Sequence, residues 1–135
     1  MQLVKIKRAF EKKIQEVLGV GFQIGFENVA FTPDNNPYAT CKLIPYDPEN
    51  PTLGDGFYRE RGNFTVVLYY PKNQGSTTAL TKACEIQSAF YRGYSITEDD
   101  ITVIVEGTPQ IAGSMVINDR LAVPVIIEYF ANVLR

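Results

Sequence analysis

Apolar side chains recur in steps of three and four at Leu3, Ile6, Phe10, Ile14, Val17 and Leu18, which marks one face of an amphipathic helix over 3–18. Gly19 and Gly21 stop it. From Phe22 the period drops to two: Phe22, Ile24 and Phe26 share one side of a short strand, and Ala39, Cys41 and Leu43 one side of a second. The Thr-Pro-Asp-Asn-Asn-Pro run at 32–37 is turn punctuation between them. Residues 63–70 are rich in β-branched and aromatic types and stop at Pro71, as a central strand would. Ser76 or Thr77 suits the N-cap of a second helix running to about Tyr91, with Leu80, Ala83, Cys84, Gln87 and Phe90 on one face. Arg92-Gly93 supplies a cation in the last turn and a glycine stop. Residues 101–106 read as the next strand, 107–109 as a turn, and 114–117 as a further short strand. Residues 120–130 form the last, with Leu121, Val123, Val125, Ile127 and Tyr129 in alternation. Pro124 has no N–H for a ladder, so this strand must place it at a bulge or toward an edge.

This order predicts an α+β fold: a mainly antiparallel sheet of five to six strands with two helices packed on one face, in a single domain over 1–135. One segment lacks a period altogether. Residues 45–62 carry Pro45, Pro48, Pro51, Gly54, Gly56 and Gly62 with several acids and two arginines, and read as a long loop. Tyr46, Leu53, Phe57 and Tyr58 within it gain from covering a surface, so the loop is expected to be poorly ordered in a free subunit and to order against a partner. Arg59 and Arg61 bracket Glu60, and their planar guanidinium groups suit carboxylates across an interface.

With 135 residues, 45% of them hydrophobic and 21% charged, the chain can bury a core without metal or disulfide staples. Thirteen basic against fifteen acidic residues argue against binding nucleic acid by bulk phosphate neutralisation. On the first helix, however, Lys5, Arg8 and Lys12 recur at steps of three and four, a stripe fit for an acidic partner or simply for solvent.

Candidate chemistry is sparse. There is no histidine, which removes the commonest general base and zinc ligand. Glu98-Asp99-Asp100 reads as a solvated turn rather than a metal cage, residues 47–56 do not follow the EF-hand spacing, and Gly19-Val-Gly-Phe-Gln-Ile-Gly25 narrowly misses a dinucleotide-binding pattern and follows a helix. The serines have no base to activate them. No catalytic, cofactor-binding or metal-binding residue is therefore assigned, and the reading is not that of an enzyme. Cys41 and Cys84 each fall on the apolar side of an element and are expected to be buried, reduced thiols. The N-terminus lacks the apolar core of a signal peptide, and no apolar run approaches the roughly 20 residues that span a bilayer.

Phe26-Glu-Asn-Val-Ala-Phe-Thr-Pro33, then Tyr38 and Leu43, then Pro48-Glu-Asn-Pro-Thr-Leu-Gly54, Arg61-Gly-Asn-Phe64 and Tyr69-Tyr-Pro71 resemble a family of small phage and prophage proteins similar to the tail terminators of long-tailed phages. The likeness continues through the helix from Ser76, the Phe90-Tyr-Arg-Gly93 ending, Arg120 and Pro124-Val125, so it covers nearly the whole chain. It implies a structural virion subunit that forms a ring, usually a hexamer, on the end of the tail tube, stops its polymerisation and offers a head-joining surface. The implied partners are other copies of itself, the tail tube protein and a head-side connector protein, with no cofactor, no membrane and no specific nucleic acid. The implied location is the virion tail, reached from the host cytoplasm during assembly. A head-to-tail adaptor or neck protein, or a monomeric binding module, remains the alternative. The residues expected at such an interface are Tyr46, Leu53, Phe57, Tyr58, Arg59, Arg61, Lys5, Arg8 and Lys12.

Overall fold

The N-terminal amphipathic segment forms helix α1, Gln2–Leu18, in a computed structural model that describes residues 2–19, 22–26, 36–50, 53–54, 56–71, 76–117 and 119–134, with Gln2, Phe57 and Leu134 described by their backbone alone. Ile6, Ala9, Phe10, Ile14 and Leu18 are buried as the period requires, whereas Leu3 in the first turn stays 39% exposed. Phe10 is the pivot of the core. Its ring stacks on Phe64 with centroids 4.9 Å apart and lies tilted against Phe90 at 5.9 Å and Tyr129 at 5.4 Å, so the first helix, the second and two sheet strands meet on one side chain.

The strands are β1 (Gln23–Phe26), β2 (Tyr38–Pro45), β3 (Phe57–Pro71), β4 (Ser95–Glu98), β5 (Ile101–Val105), β6 (Gln110–Ile111), β7 (Met115–Ile117) and β8 (Arg120–Leu134), and the second helix is α2 (Thr77–Ala89). They build one sheet in the order β1-β2-β3-β8-β5-β4, with β6 and β7 also paired to β8. The α+β class holds, but the sheet is larger than expected, with eight strands among the described residues, and mixed, because β1 runs parallel to β2. The unforeseen members are too short for a period to register: β6 has two residues, and Ser95–Glu98 offers only Ile96 as a strongly apolar position. The turn expected at 32–37 lies outside the described residues apart from Asn36 and Pro37.

The spine is the antiparallel pair β3–β8, fifteen residues on each strand, running from Phe57 opposite Leu134 to Pro71 opposite Arg120. Alternation sends Phe64, Val66, Leu68 and Tyr70 of β3 and Val123, Val125, Ile127, Tyr129, Ala131 and Val133 of β8 into the core beneath the helices. Pro124 sits opposite Val67 on β3, and its carbonyl accepts the Ala112 N–H at 2.9 Å. In an antiparallel strand a residue's N–H and C=O point the same way, so the missing donor faces the break between β6 and β7.

Three expectations need correction. The segment 45–62 is not one loop. β2 ends at Pro45 and β3 already starts at Phe57, while Tyr46 N–H donates to the Arg61 carbonyl and Glu49 exchanges two backbone hydrogen bonds with Arg59, all at 2.8 Å. Pro45 and Pro48 do not break this arm because the backbone donors its ladder uses belong to Tyr46, Glu49 and Arg59. In α2 the buried line is Ala79, Ala83 and Ile86, continuing to Phe90, while Leu80 is 40% exposed. Small alanines let the helix lie close to the sheet, which turns the larger Leu80 outward. Cys84, next to Leu80 on that outer side, is therefore exposed, and of the two thiols Cys41 alone is buried. Burial pushes the Cys41 thiol up to about 12, helped by the charge of Glu11, which keeps it protonated.

Candidate functional site

Residues of β3 that alternate away from the helices carry most of the polar groups singled out in the sequence. Arg59 and Arg61 are two apart and so share this face, where Glu49 lies between them with N–O distances of 3.6 Å to each. Arg59 Nε also donates to Asn132 Oδ1 at 2.9 Å, and its guanidinium lies 5.4 Å from the centre of the Phe130 ring. Arg61 reaches Glu106 at 3.6 Å. These groups are partly exposed, and the pairs contribute well under about 1 kcal/mol each to stability. They give each guanidinium acidic partners on this face of the sheet.

Glu60, between the arginines, points the other way and is 8% exposed. Burial raises its carboxyl above the usual carboxylate range. Tyr129, buried opposite Gly62, has its hydroxyl in the same region; burial, then the charge of Glu60, raises its pKa, and the hydroxyl has no hydrogen-bond partner among the described residues. Gly62 is there because nothing larger fits: a Cβ on it would stand 2.5 Å from the Ile44 carbonyl oxygen and 2.7 Å from the Tyr129 hydroxyl. Across the sheet, Asn63 Nδ2 donates to the Tyr46 hydroxyl at 3.0 Å and Thr65 Oγ1 donates to Asn63 Oδ1 at 2.6 Å, which ties the arm after β2 to the centre of β3.

Of the remaining residues of the arm, Tyr58 is half-buried and packs against the core, Tyr46 is 37% exposed, and Leu53 at the tip is fully exposed. The Phe57 side chain lies outside the described residues. The arm thus gathers Tyr46, Tyr58, Arg59 and Arg61 within one hydrogen-bonded unit.

The α1 stripe lies elsewhere and finds acidic partners within the chain. Lys5 pairs with Asp100, and Lys12 with Glu98 at 2.9 Å, so the two lysines straddle the β4–β5 turn, where Asp99 takes φ +53°. The side-chain hydrogen bond with Asp100 raises the Lys5 pKa, and the same bond lowers that of Asp100. Arg8, between the lysines in sequence, is exposed. Glu98 and Asp100 therefore act as anchors for α1, and no grouping of three metal-ligating side chains occurs among the described residues.

The short strand expected at 114–117 is present as β7, but residue-by-residue reading passed over its apolar surface. Met115, Val116 and Ile117 are all exposed, at 49%, 58% and 38%, on a strand paired only with β8 among the described residues. Its signal in the sequence was three consecutive apolar residues that break alternation at a predicted short strand.

No helix among the described residues is long and apolar enough to cross a membrane. Residues 5–129 match the family described as phage tail terminator protein. No curated protein matches the chain. Among solved structures, one shares 22% sequence identity and superposes with a TM-score of 0.79 over 97% of this chain and 96% of its own. A second, titled as the virion of a native gene transfer agent particle, is 12% identical with a TM-score of 0.68 over 97% of each chain. At these identities the two neighbours speak to the fold.

Proposed function

The chain belongs to the phage tail terminator family, and from that premise we propose that it is a structural tail-assembly subunit that forms a ring, a hexamer in this reading, on the end of the tail tube, halts tube growth and presents a surface to a head-side connector. The family match over residues 5–129 carries the proposal. The gene transfer agent neighbour supports a structural virion role, because a chain of the same fold is part of that particle's virion.

The chemistry is that of recognition rather than catalysis. A ring subunit needs two different complementary patches, since a head-to-tail contact closes only by rotation. The arm bearing Tyr46, Leu53, Phe57, Tyr58, Arg59 and Arg61 serves as one contact region in this reading, with its arginines already oriented and its fully exposed tip leucine free to enter a neighbour. The exposed Arg8 beside the paired Lys5 and Lys12 remains a secondary contact candidate. Because backbone hydrogen bonds already hold the arm, assembly costs less ordering entropy than a free loop would.

Negative-stain electron microscopy of the purified chain, alone and mixed with polymerising tail tube protein, tests this. The expected images show rings alone and tubes blocked at one end in the mixture. A head-to-tail adaptor would bind completed heads or tails without limiting tube length, and a monomeric binding module would show no ring at all.

A further inference from the structure

The sheet has two further contact features in β1 and β7. Each pairs along one side, β1 with β2 and β7 with β8, and with no other strand among the described residues. The other strands at the margins are attended by helices, since α1 lies against β4 and α2 against β6.

The register places these two edges at the same end of the sheet. Gln23 lies opposite Tyr38, Tyr38 opposite Tyr69, Tyr69 opposite Ala122, and Ala122 opposite Met115. One row of residues therefore crosses the sheet from β1 to β7. Strand sense follows from the same pairs. β1 runs with β2, and β2–β3, β3–β8 and β8–β7 are each antiparallel, so β7 runs opposite to β1. A second copy whose β1 is brought beside β7 meets it antiparallel, the commoner and more stable pairing.

The side chains fit the same arrangement. Met115, Val116 and Ile117 present apolar surface on a strand whose second backbone edge pairs with no other strand among the described residues, a combination that draws another strand unless something covers it. Beside β1, residues Phe22, Ile24 and Phe26 with Gln15 and Gly19 line an open cavity of about 350 Å³. The exposed apolar strand and the apolar hollow lie on opposite edges of one subunit. They can meet only between copies.

We propose that β7 of one copy adds antiparallel to β1 of the next, seating Met115–Ile117 beside the hollow formed by Phe22, Ile24 and Phe26, and that this strand addition closes the ring. The inference rests on the ring reading above. Because the two edges differ, the contact is heterologous and can run from copy to copy around a ring, whereas β7 pairing with β7 would be isologous and stop at dimers.

Three variants test it against the wild-type chain by size-exclusion chromatography with light scattering. Val116→Lys changes an exposed side chain and leaves the core intact, which circular dichroism verifies; it is expected to convert the oligomer to monomer. Met115→Cys with Gln23→Cys, in a Cys84→Ser background, is expected to give an intermolecular disulfide ladder on oxidation that ends at the ring. The two positions in one chain are separated by four strand spacings, about 19 Å, far beyond disulfide reach. A wild-type oligomer that persists in Val116→Lys overturns the strand addition and leaves the ring reading standing. Crosslinked dimers from Met115→Cys alone overturn it in favour of the isologous pair. A wild-type chain that stays monomeric, alone and on tail tubes, overturns both.

Discussion

Replacing Gly62 with alanine should destabilise the fold by about 2 kcal/mol, although it adds a single methyl group in the middle of a strand. The new Cβ would stand 2.5 Å from the Ile44 carbonyl oxygen, 2.7 Å from the Tyr129 hydroxyl and 2.9 Å from Pro45 Cα. Two of these three atoms are backbone of the neighbouring strand and cannot rotate away. Overpacking of this kind costs about 1–3 kcal/mol, and rigid neighbours favour the upper half of that range. The reduced entropy of the unfolded chain returns about 0.4–1 kcal/mol, which leaves a net loss of about 2 kcal/mol. With an unfolding entropy of about 2.1 cal/mol/K per residue over 135 residues, this is a fall in Tm of about 7 °C. Urea titration followed by far-UV circular dichroism measures it, with an unchanged m value marking a native-state effect. Tyr129→Phe supplies the control, because it removes one of the three close atoms together with a buried hydroxyl that has no partner among the described residues. In a double-mutant cycle it should recover part of the loss caused by Gly62→Ala. A Gly62→Ala protein within about 0.5 kcal/mol of wild type, well below the overpacking range, would refute the argument from close approach.

Three further outcomes follow from the same structure. Glu60 has its carboxyl raised by burial, so the folded state binds more protons than the unfolded one as pH rises from the ordinary glutamate range through the folded pKa, and stability falls across that window. Glu60→Gln should therefore raise Tm at neutral pH, with the gain shrinking in acid; a gain constant from pH 4 to pH 7 would contradict this. Cys84 should react with a thiol reagent in the native protein and Cys41 only after denaturation, as mass spectrometry of the labelled protein can read. Reversing Lys5, Arg8 and Lys12 to glutamate sets like charges beside Asp100 and Glu98, so amide exchange in the β4–β5 hairpin should accelerate and Tm should fall. An unchanged hairpin would mean that the pairs do not anchor α1.

The sequence by itself determined the periodic parts of this protein. Helix α1 and its buried line from Ile6 to Leu18, the inward residues of β2 and the alternation of β8 from Val123 to Tyr129 all follow from which side chains must leave water, and that requirement is local. The absence of histidine and of any motif with catalytic spacing likewise directed the reading toward recognition, and the resemblance at Pro48–Gly54 and Arg61–Phe64 to its family. Tertiary structure decided whatever depends on a neighbour distant in the chain. α2 shows only a weak apolar stripe of its own, so close packing of Ala79 and Ala83 against the sheet set its phase and turned Cys84 outward. The proline-rich arm became ladder because Arg59 and Arg61 offered backbone partners to Glu49 and Tyr46. Lys5 and Lys12 found Asp100 and Glu98, groups of opposite charge nearly a hundred residues away. Sheet order belongs to the same class. β1 and β7 share one row at opposite edges only because β2, β3 and β8 lie between them in register, a relation carried by hydrogen bonds between strands that no local pattern encodes.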